Sequence, residues 1–222
     1  MTHPNRTDHG RFSLRRPIPA AVLSAALWLW LSDGLAAQSG LDPAALDPAA
    51  LDSAALKRLS AGEVLVSVEP DPKSAGGLAR GVVEIAQAPQ QLWAIMLDCK
   101  RTLKFVERLK SCTVMSADAQ GKWDVREHVV EWIWPLPKVR SVIHSEYSPF
   151  NTIKFRRVEG DLKSLEGSWR LEPIKDGRTT RLFYSAQVDP GVSLPGAVVR
   201  STIETELRNS LTGLRREATG RE

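Results

Sequence analysis

The spacing of apolar residues changes several times along the chain, and each spacing predicts an element. Val64, Val66 and Val68 alternate with Leu65, Ser67 and Glu69, the period of two expected of a strand with one apolar face. Asp71 to Gly77 is rich in turn residues, and Leu78 to Ile85 reads as the returning strand of a hairpin. Ala88-Pro89-Gln90-Gln91 then opens a helix, with Pro where its missing N–H costs nothing, and Leu92, Trp93, Ile95 and Met96 give that helix an apolar stripe. A second helical stretch, Arg101 to Leu109, is expected to turn Leu103, Val106 and Leu109 inward and Lys100, Arg101, Lys104, Arg108 and Lys110 outward. Strand signals follow one another from Cys112 to Val188. Last, Pro195 to Ala218 carries Val199, Ile203, Leu207, Leu211 and Leu214 on one face of a long amphipathic helix.

Turn chemistry fixes some strand pairings. Asp176-Gly177 between alternating runs is the strongest short hairpin signal and predicts a two-residue loop. It sets Leu171 opposite Leu182, Trp169 opposite Tyr184, Gly167 opposite Ala186 and Leu165 opposite Val188. Glu172, Arg181, Glu166 and Gln187 then share the other face, so a one-residue slip would bury charge. A pivot at Gly160 places Phe155 opposite Leu165 and Ile153 opposite Gly167, with Lys154 and Arg156 outward. Three strands thus share an apolar face whose centre, Gly167 and Ala186, is small and whose flanks, Phe155, Trp169 and Tyr184, are aromatic. Such a face under a long helix can leave a hollow, or Ile203 and Leu207 can fill it. These residues alone leave both outcomes open.

A third hairpin, Trp123 to Ile133 and Val139 to Tyr147, turns through Trp134-Pro135-Leu136-Pro137-Lys138. A pivot at Leu136 puts Val125, Val129, Ile133, Val139, Ile143 and Tyr147 on one face together with Glu127 and Glu131. The same pivot sets Arg126 opposite Glu146 and His128 opposite His144. Glu127 and Glu131 are either polar anchors for a ligand or edge positions reaching water. The second is favoured, since a buried carboxylate needs a partner or a raised pKa. The histidine pair lacks a third ligand in the pattern, so no metal site is expected, and no sequence feature calls for a cofactor.

Composition narrows the class. A chain of 222 residues that is 42% hydrophobic and 25% charged is globular rather than disordered, and a net charge of +4 with scattered basic residues argues against nucleic acid. Before the folded part, Arg6, Arg11, Arg15 and Arg16 precede an uncharged run from Ile18 to Leu31 and small residues at Gly34-Leu35-Ala36-Ala37. That order is a secretory signal over residues 1–37, since a spanning helix needs about 20 apolar residues. The expected location is periplasmic or secreted, an uncleaved N-terminal anchor being the alternative. The repeat LDPAA-LDPAA-LDSAA (residues 41–55) reads as a surface linker within residues 38–60 that ends in one short helix, and the folded domain spans residues 61–217. Cys99 and Cys112 form an even pair in an exported chain and are expected as a disulfide, two buried thiols being the alternative. No Gly-rich phosphate loop, GxSxG elbow or HExxH occurs. The basic stretch Lys100–Lys110 is either the wet side of a helix or a transient contact with anionic lipid headgroups.

The order hairpin, two short helices, antiparallel strands and long terminal helix resembles the START-like superfamily, also called the SRPBCC or polyketide cyclase/dehydrase-like group. Gly81–Asp98, Phe105–Val114, Trp134–Pro137, Gly160–Ser185 and the helix after Pro195 carry the resemblance. It implies an α+β helix-grip fold, a curved antiparallel sheet wrapped around the C-terminal helix and enclosing an apolar cavity. Members bind lipids, sterols, quinones or plant hormones, and some cyclise polyketides. The implied function is an exported carrier of a hydrophobic small molecule lined by Phe155, Gly167, Trp169, Tyr184, Ile203 and Leu207, with Trp93 closing one end. The alternative is a cyclase or dehydratase using Glu127 or Glu131 as acid or base.

Overall fold

The β-branched, alternating runs pair into one sheet of eight antiparallel strands. Described in the computed structural model are residues 46, 51–131 and 138–220, all within the compact unit Ser39–Glu222. The expected export signal, Ile133 and the Trp134–Pro137 turn lie outside them. The elements are α1 (Ser53–Ser60), β1 (Leu65–Pro70), β2 (Gly77–Ile85), α2 (Pro89–Leu97), α3 (Cys99–Phe105), β3 (Leu109–Ala117), β4 (Trp123–Glu131), β5 (Lys138–Ser148), β6 (Thr152–Gly160), β7 (Ser164–Ile174), β8 (Thr179–Asp189) and α4 (Gly196–Thr219). Strand order is β1-β2-β8-β7-β6-β5-β4-β3, so β1 and β3 are the edges. This is the helix-grip arrangement, with α4 lying on the inner face of the sheet.

The β7–β8 register is the expected one: Leu171 faces Leu182, Trp169 faces Tyr184 and Gly167 faces Ala186. The loop is longer than expected. Ile174 and Thr179 are the last pair, so Lys175 to Arg178 form a four-residue turn, with Lys175, Asp176 and Gly177 all at positive φ. Its centre is unchanged, which is why the register holds. Between β6 and β7 the register moves by two, setting Phe155 opposite Gly167 and Ile153 opposite Trp169. The turn there spans Asp161 to Lys163, whose N–H groups at Asp161 and Lys163 donate to Arg140 and Asp189 carbonyls in flanking strands. An even shift preserves faces, and Lys154 and Arg156 remain exposed.

The second short helix also differs from expectation. It runs Cys99–Phe105, its first turn capped by the Asp98 carboxylate accepting from Lys100 and Arg101 N–H, and Leu109 already belongs to β3. Its buried side is Thr102 and Phe105, while Leu103 is 40% exposed. The helix starts two residues earlier than expected because Asp98 supplies its cap.

Two apolar clusters hold the fold. The inner one joins Val66, Ala79, Val83, Leu171 and Leu182 of the sheet to Leu207, Leu211 and Leu214 of α4. Leu171 and Leu211 are both wholly buried, each side chain contributing about 2 kcal/mol. The outer cluster packs Leu46, Ala55 and Leu59 on Leu65, Val82 and Phe183, so both faces of β1 and β2 are covered. The end of the repeat is therefore not a free linker. Asp52 caps α1 by accepting from Ala55 N–H at 2.7 Å, and α1 lays its apolar side on the back of the sheet.

Candidate functional site

The half of the sheet that α4 leaves uncovered bounds a cavity of ≈230 Å³. Its roof is Met96 and Leu97 at the end of α2, Thr102 and Phe105 of α3, Val106, and Leu214 of α4. Its floor is Ile143, Ile153, Phe155, Leu165, Trp169 and Tyr184. The aromatic residues form one packed wall: the Tyr184 ring lies 5.9 Å from Phe155, stacked, and 4.5 Å from Trp169. Burial raises the Tyr184 phenol pKa, so the hydroxyl stays neutral across the physiological range.

One corner is polar. β4 pairs β5 with Arg126 opposite Ile143, His128 opposite Ser141 and Glu131 opposite Lys138, offset by three residues from a pivot at Leu136. An odd offset exchanges the faces of β4. Arg126 and His128 therefore line the cavity beside Ser145 and Tyr147, whereas Glu127 and Glu131 point away from it. Their expected place on the apolar face is corrected, while the favoured reading of them as positions reaching water fits: Glu127 bonds Arg140 Nε at 2.5 Å, and Glu131 lies 3.4 Å from both Lys110 and Lys138. Those cations, the hydrogen bond from Lys138 first, hold the Glu131 pKa down, so it has no acid to offer at neutral pH. His144 does not face His128 either. It stacks on Trp123 at 5.7 Å on the outer side.

Arg126 is 8% exposed and Asp124 5%. Arg126 Nε and Nη2 both reach Asp124 Oδ2 at 2.7 Å, which compensates the buried charge, and Nη1 has no partner among the described residues. Tyr147 is pushed up in pKa by burial, Arg126 opposing and Asp124 adding to the shift. His128 is lowered to about 4, first by burial, then by the Arg126 charge, with Asp124 acting in the other direction. At neutral pH the corner thus presents one cationic and three neutral hydrogen-bonding groups, and the His128 Nε2 sits 3.4 Å from Cys112 Sγ. Cys112 is bridged to Cys99, tying α3 to the edge strand β3 as the cysteine count suggests.

Of the residues singled out in the sequence, Phe155, Trp169 and Tyr184 border the cavity. Trp93 is buried behind the wall, edge-on to Tyr147 at 6.0 Å and Phe150 at 5.9 Å. Leu207 and Ile203 belong to the packing of α4: a Cβ on Gly81 would stand 2.7 Å from Leu211 and 3.3 Å from Leu207, so these leucines fill the space above β2. Gly167 is not a cavity floor. A Cβ there would meet the Ser185 carbonyl at 2.2 Å and Ala186 Cβ at 2.6 Å, so the residue is small because β7 and β8 approach closely. Arg126, His128 and the α2–α3 roof were not singled out as cavity residues. The alternation Asp124-Arg126-His128 was the available signal, usable only once the β4–β5 register is known.

Among the described residues no cluster of His, Cys, Asp and Glu could hold a metal, and no helix is long and apolar enough to cross a membrane.

Residues 85–215 match the profile of a family described as polyketide cyclase / dehydrase and lipid transport. Comparison with curated proteins finds no match. Among solved structures, the chain is similar to a STAR-related lipid transfer protein of Xanthomonas axonopodis, with a TM-score of 0.61 at 18% identity over 70% of this chain and 93% of that one. The human StarD13 lipid transfer and protein localization domain gives 0.57 at 13% identity, over 70% and 89%. An aromatase/cyclase from Streptomyces gives 0.53 at 14%, over 64% and 93%. At these identities the likeness is one of fold.

Proposed function

The chain belongs to the polyketide cyclase/dehydrase and lipid transport family, and on that premise we propose that it is an exported carrier of a slender hydrophobic molecule bearing one polar group, such as an acyl lipid or quinone. The observation that carries the reading is an apolar cavity with a single charged corner at Arg126. Burying aliphatic chain contributes about 0.8 kcal/mol per methylene before binding costs, so the apolar wall supplies affinity. Orientation is the task of the corner: Arg126 Nη1 donates to a carbonyl, carboxylate or hydroxyl oxygen of the ligand, beside the neutral Tyr147 hydroxyl, which is turned toward Asp124. At ≈230 Å³ the cavity is below the range of about 300–1,000 Å³ usual for ligand sites, which favours a single chain over a fused ring system. Export is supported by the basic, apolar and small-residue order of residues 1–37 and by the Cys99–Cys112 bridge. The cyclase or dehydratase alternative loses its proposed carboxylates to the outer surface.

Native mass spectrometry of the protein from an exporting host, followed by organic extraction, tests the reading. The expected result is a mature chain lacking residues 1–37 with one extractable lipid or quinone per protein. An empty chain that also takes up no member of a lipid and quinone panel would contradict it.

A further inference from the structure

We propose that the Cys99–Cys112 disulfide, with His128 set against it, is a thiol–disulfide exchange site that a dithiol reductant opens, and that its opening loosens the cavity wall. The second half rests on the carrier reading. The bridge joins the first residue of α3 to the edge strand β3, and both cysteines are only half-buried, within reach of a small dithiol.

The two sulfurs are not equivalent. Cys99 opens α3, but the Asp98 carboxylate already accepts from the Lys100 and Arg101 N–H groups of that first turn, so the helix end offers little to a thiolate on that sulfur. Cys112 has His128 Nε2 at 3.4 Å, placed to donate a hydrogen bond to a thiolate. Cys112 is therefore the better leaving group, and attack falls on Cys99. A thiolate of the dithiol bonds to Cys99 Sγ, the S–S bond breaks, and Cys112 departs as a thiolate held by His128. The second thiolate of the reductant then attacks its own sulfur, expelling Cys99. Two electrons and two protons pass to the protein, which ends with two thiols, and the dithiol ends as a disulfide.

Opening has a defined mechanical result. On the α4 side α3 is held by Arg101–Glu217 at 2.8 Å and Lys104–Glu217 at 3.6 Å, and on the sheet side the bridge ties the start of the helix to β3, as the short Val106–Arg108 connection ties its end. Thr102 and Phe105, which roof the cavity, lie on this helix. His128 touches both the sulfur and the cavity, so one ring joins the redox site to the ligand space.

The test follows thiol release by dithiothreitol in the native protein, read by alkylation and mass, each variant referenced to its own rate in urea. His128→Leu is expected to slow native reduction about fivefold, and His128→Gln, which keeps a side-chain N–H, to recover part of that rate. In parallel, dansyl-undecanoate should leave the reduced protein, and the Cys99→Ser/Cys112→Ser variant, about threefold faster than the oxidised one. A bridge that dithiothreitol does not open before unfolding, or equal rates in wild type and His128→Leu, would overturn the exchange site. Unchanged probe release on reduction would overturn the link to the wall. If oxidised protein binds no probe, the carrier reading falls with that link, while the thiol rates alone still decide the exchange site.

Discussion

Arg126 carries a charge in the interior, and the residue scale is set by what neutralises it. Its partner Asp124 is equally buried, so removing either leaves an uncompensated charge. Arg126→Met should cost about 3 kcal/mol in urea unfolding, and Asp124→Asn added to it should return most of that loss. Equal stability of the single variant and wild type would show that the pair is not desolvated. His128 gives a pH signature. Its pKa is near 4 in the folded protein and about 6.5 when unfolded, so the unfolded state binds more protons between those values. Its stabilising contribution is therefore full above about pH 6.5 and is lost as pH falls toward 4. Glu217, held low mainly by Arg101, and Glu131, held low mainly by Lys138, act with the same sign in a window below about 4.5. Unfolding free energy should thus be lower at pH 5 than at pH 7, and His128→Gln should shrink that difference. A difference undiminished in the variant would assign it elsewhere.

At the scale of elements, the outer face of β1, β2 and β8 is as consequential as the inner one. Leu59 is 1% exposed against Leu65, Val82 and Phe183, so Leu59→Ala should cost about 2–4 kcal/mol by denaturant unfolding, a loss no linker residue would show. Gly167→Ala drives a methyl into the Ser185 carbonyl and should cost several kcal/mol or prevent folding, in contrast to the tolerance expected of a cavity floor. Elements with local punctuation were legible in the sequence. Asp176-Gly177 centred its hairpin, Pro89 opened α2, and the four-residue spacing of Val199 to Leu211 traced α4. The inner face of β4 was not legible, because the sequence between β4 and β5 holds no Asp-Gly-type signal to centre the pairing, and an offset of three exchanged Arg126 and His128 for Glu127 and Glu131. Nor was the docking of α1, since Leu65 breaks the alternation of β1 by one residue and its partner Phe183 lies more than a hundred residues away.

For the whole molecule, a curved sheet gripping α4 does not by itself dictate carriage, because solved structures of this fold include a lipid transfer protein and an aromatase/cyclase. What bears on the choice is where this chain's chemistry stands: Glu127 and Glu131 are outside in ion pairs, and the cavity holds aromatic walls with Arg126, His128 and Tyr147 at one corner. On the proposed reading, such a site binds and orients an amphipathic chain. Ile143 lies on the cavity floor, the cross-strand neighbour of Arg126, so a larger side chain there projects into the ligand space. The most direct measurement is therefore a fluorescence titration of wild type and Ile143→Trp with dansyl-undecanoate, paired with a melting curve of each. Saturable one-to-one binding by wild type, weakened at least about tenfold in a variant that still melts cooperatively, is the predicted result. Equal affinity in the two proteins would place the ligand outside the cavity and contradict the account.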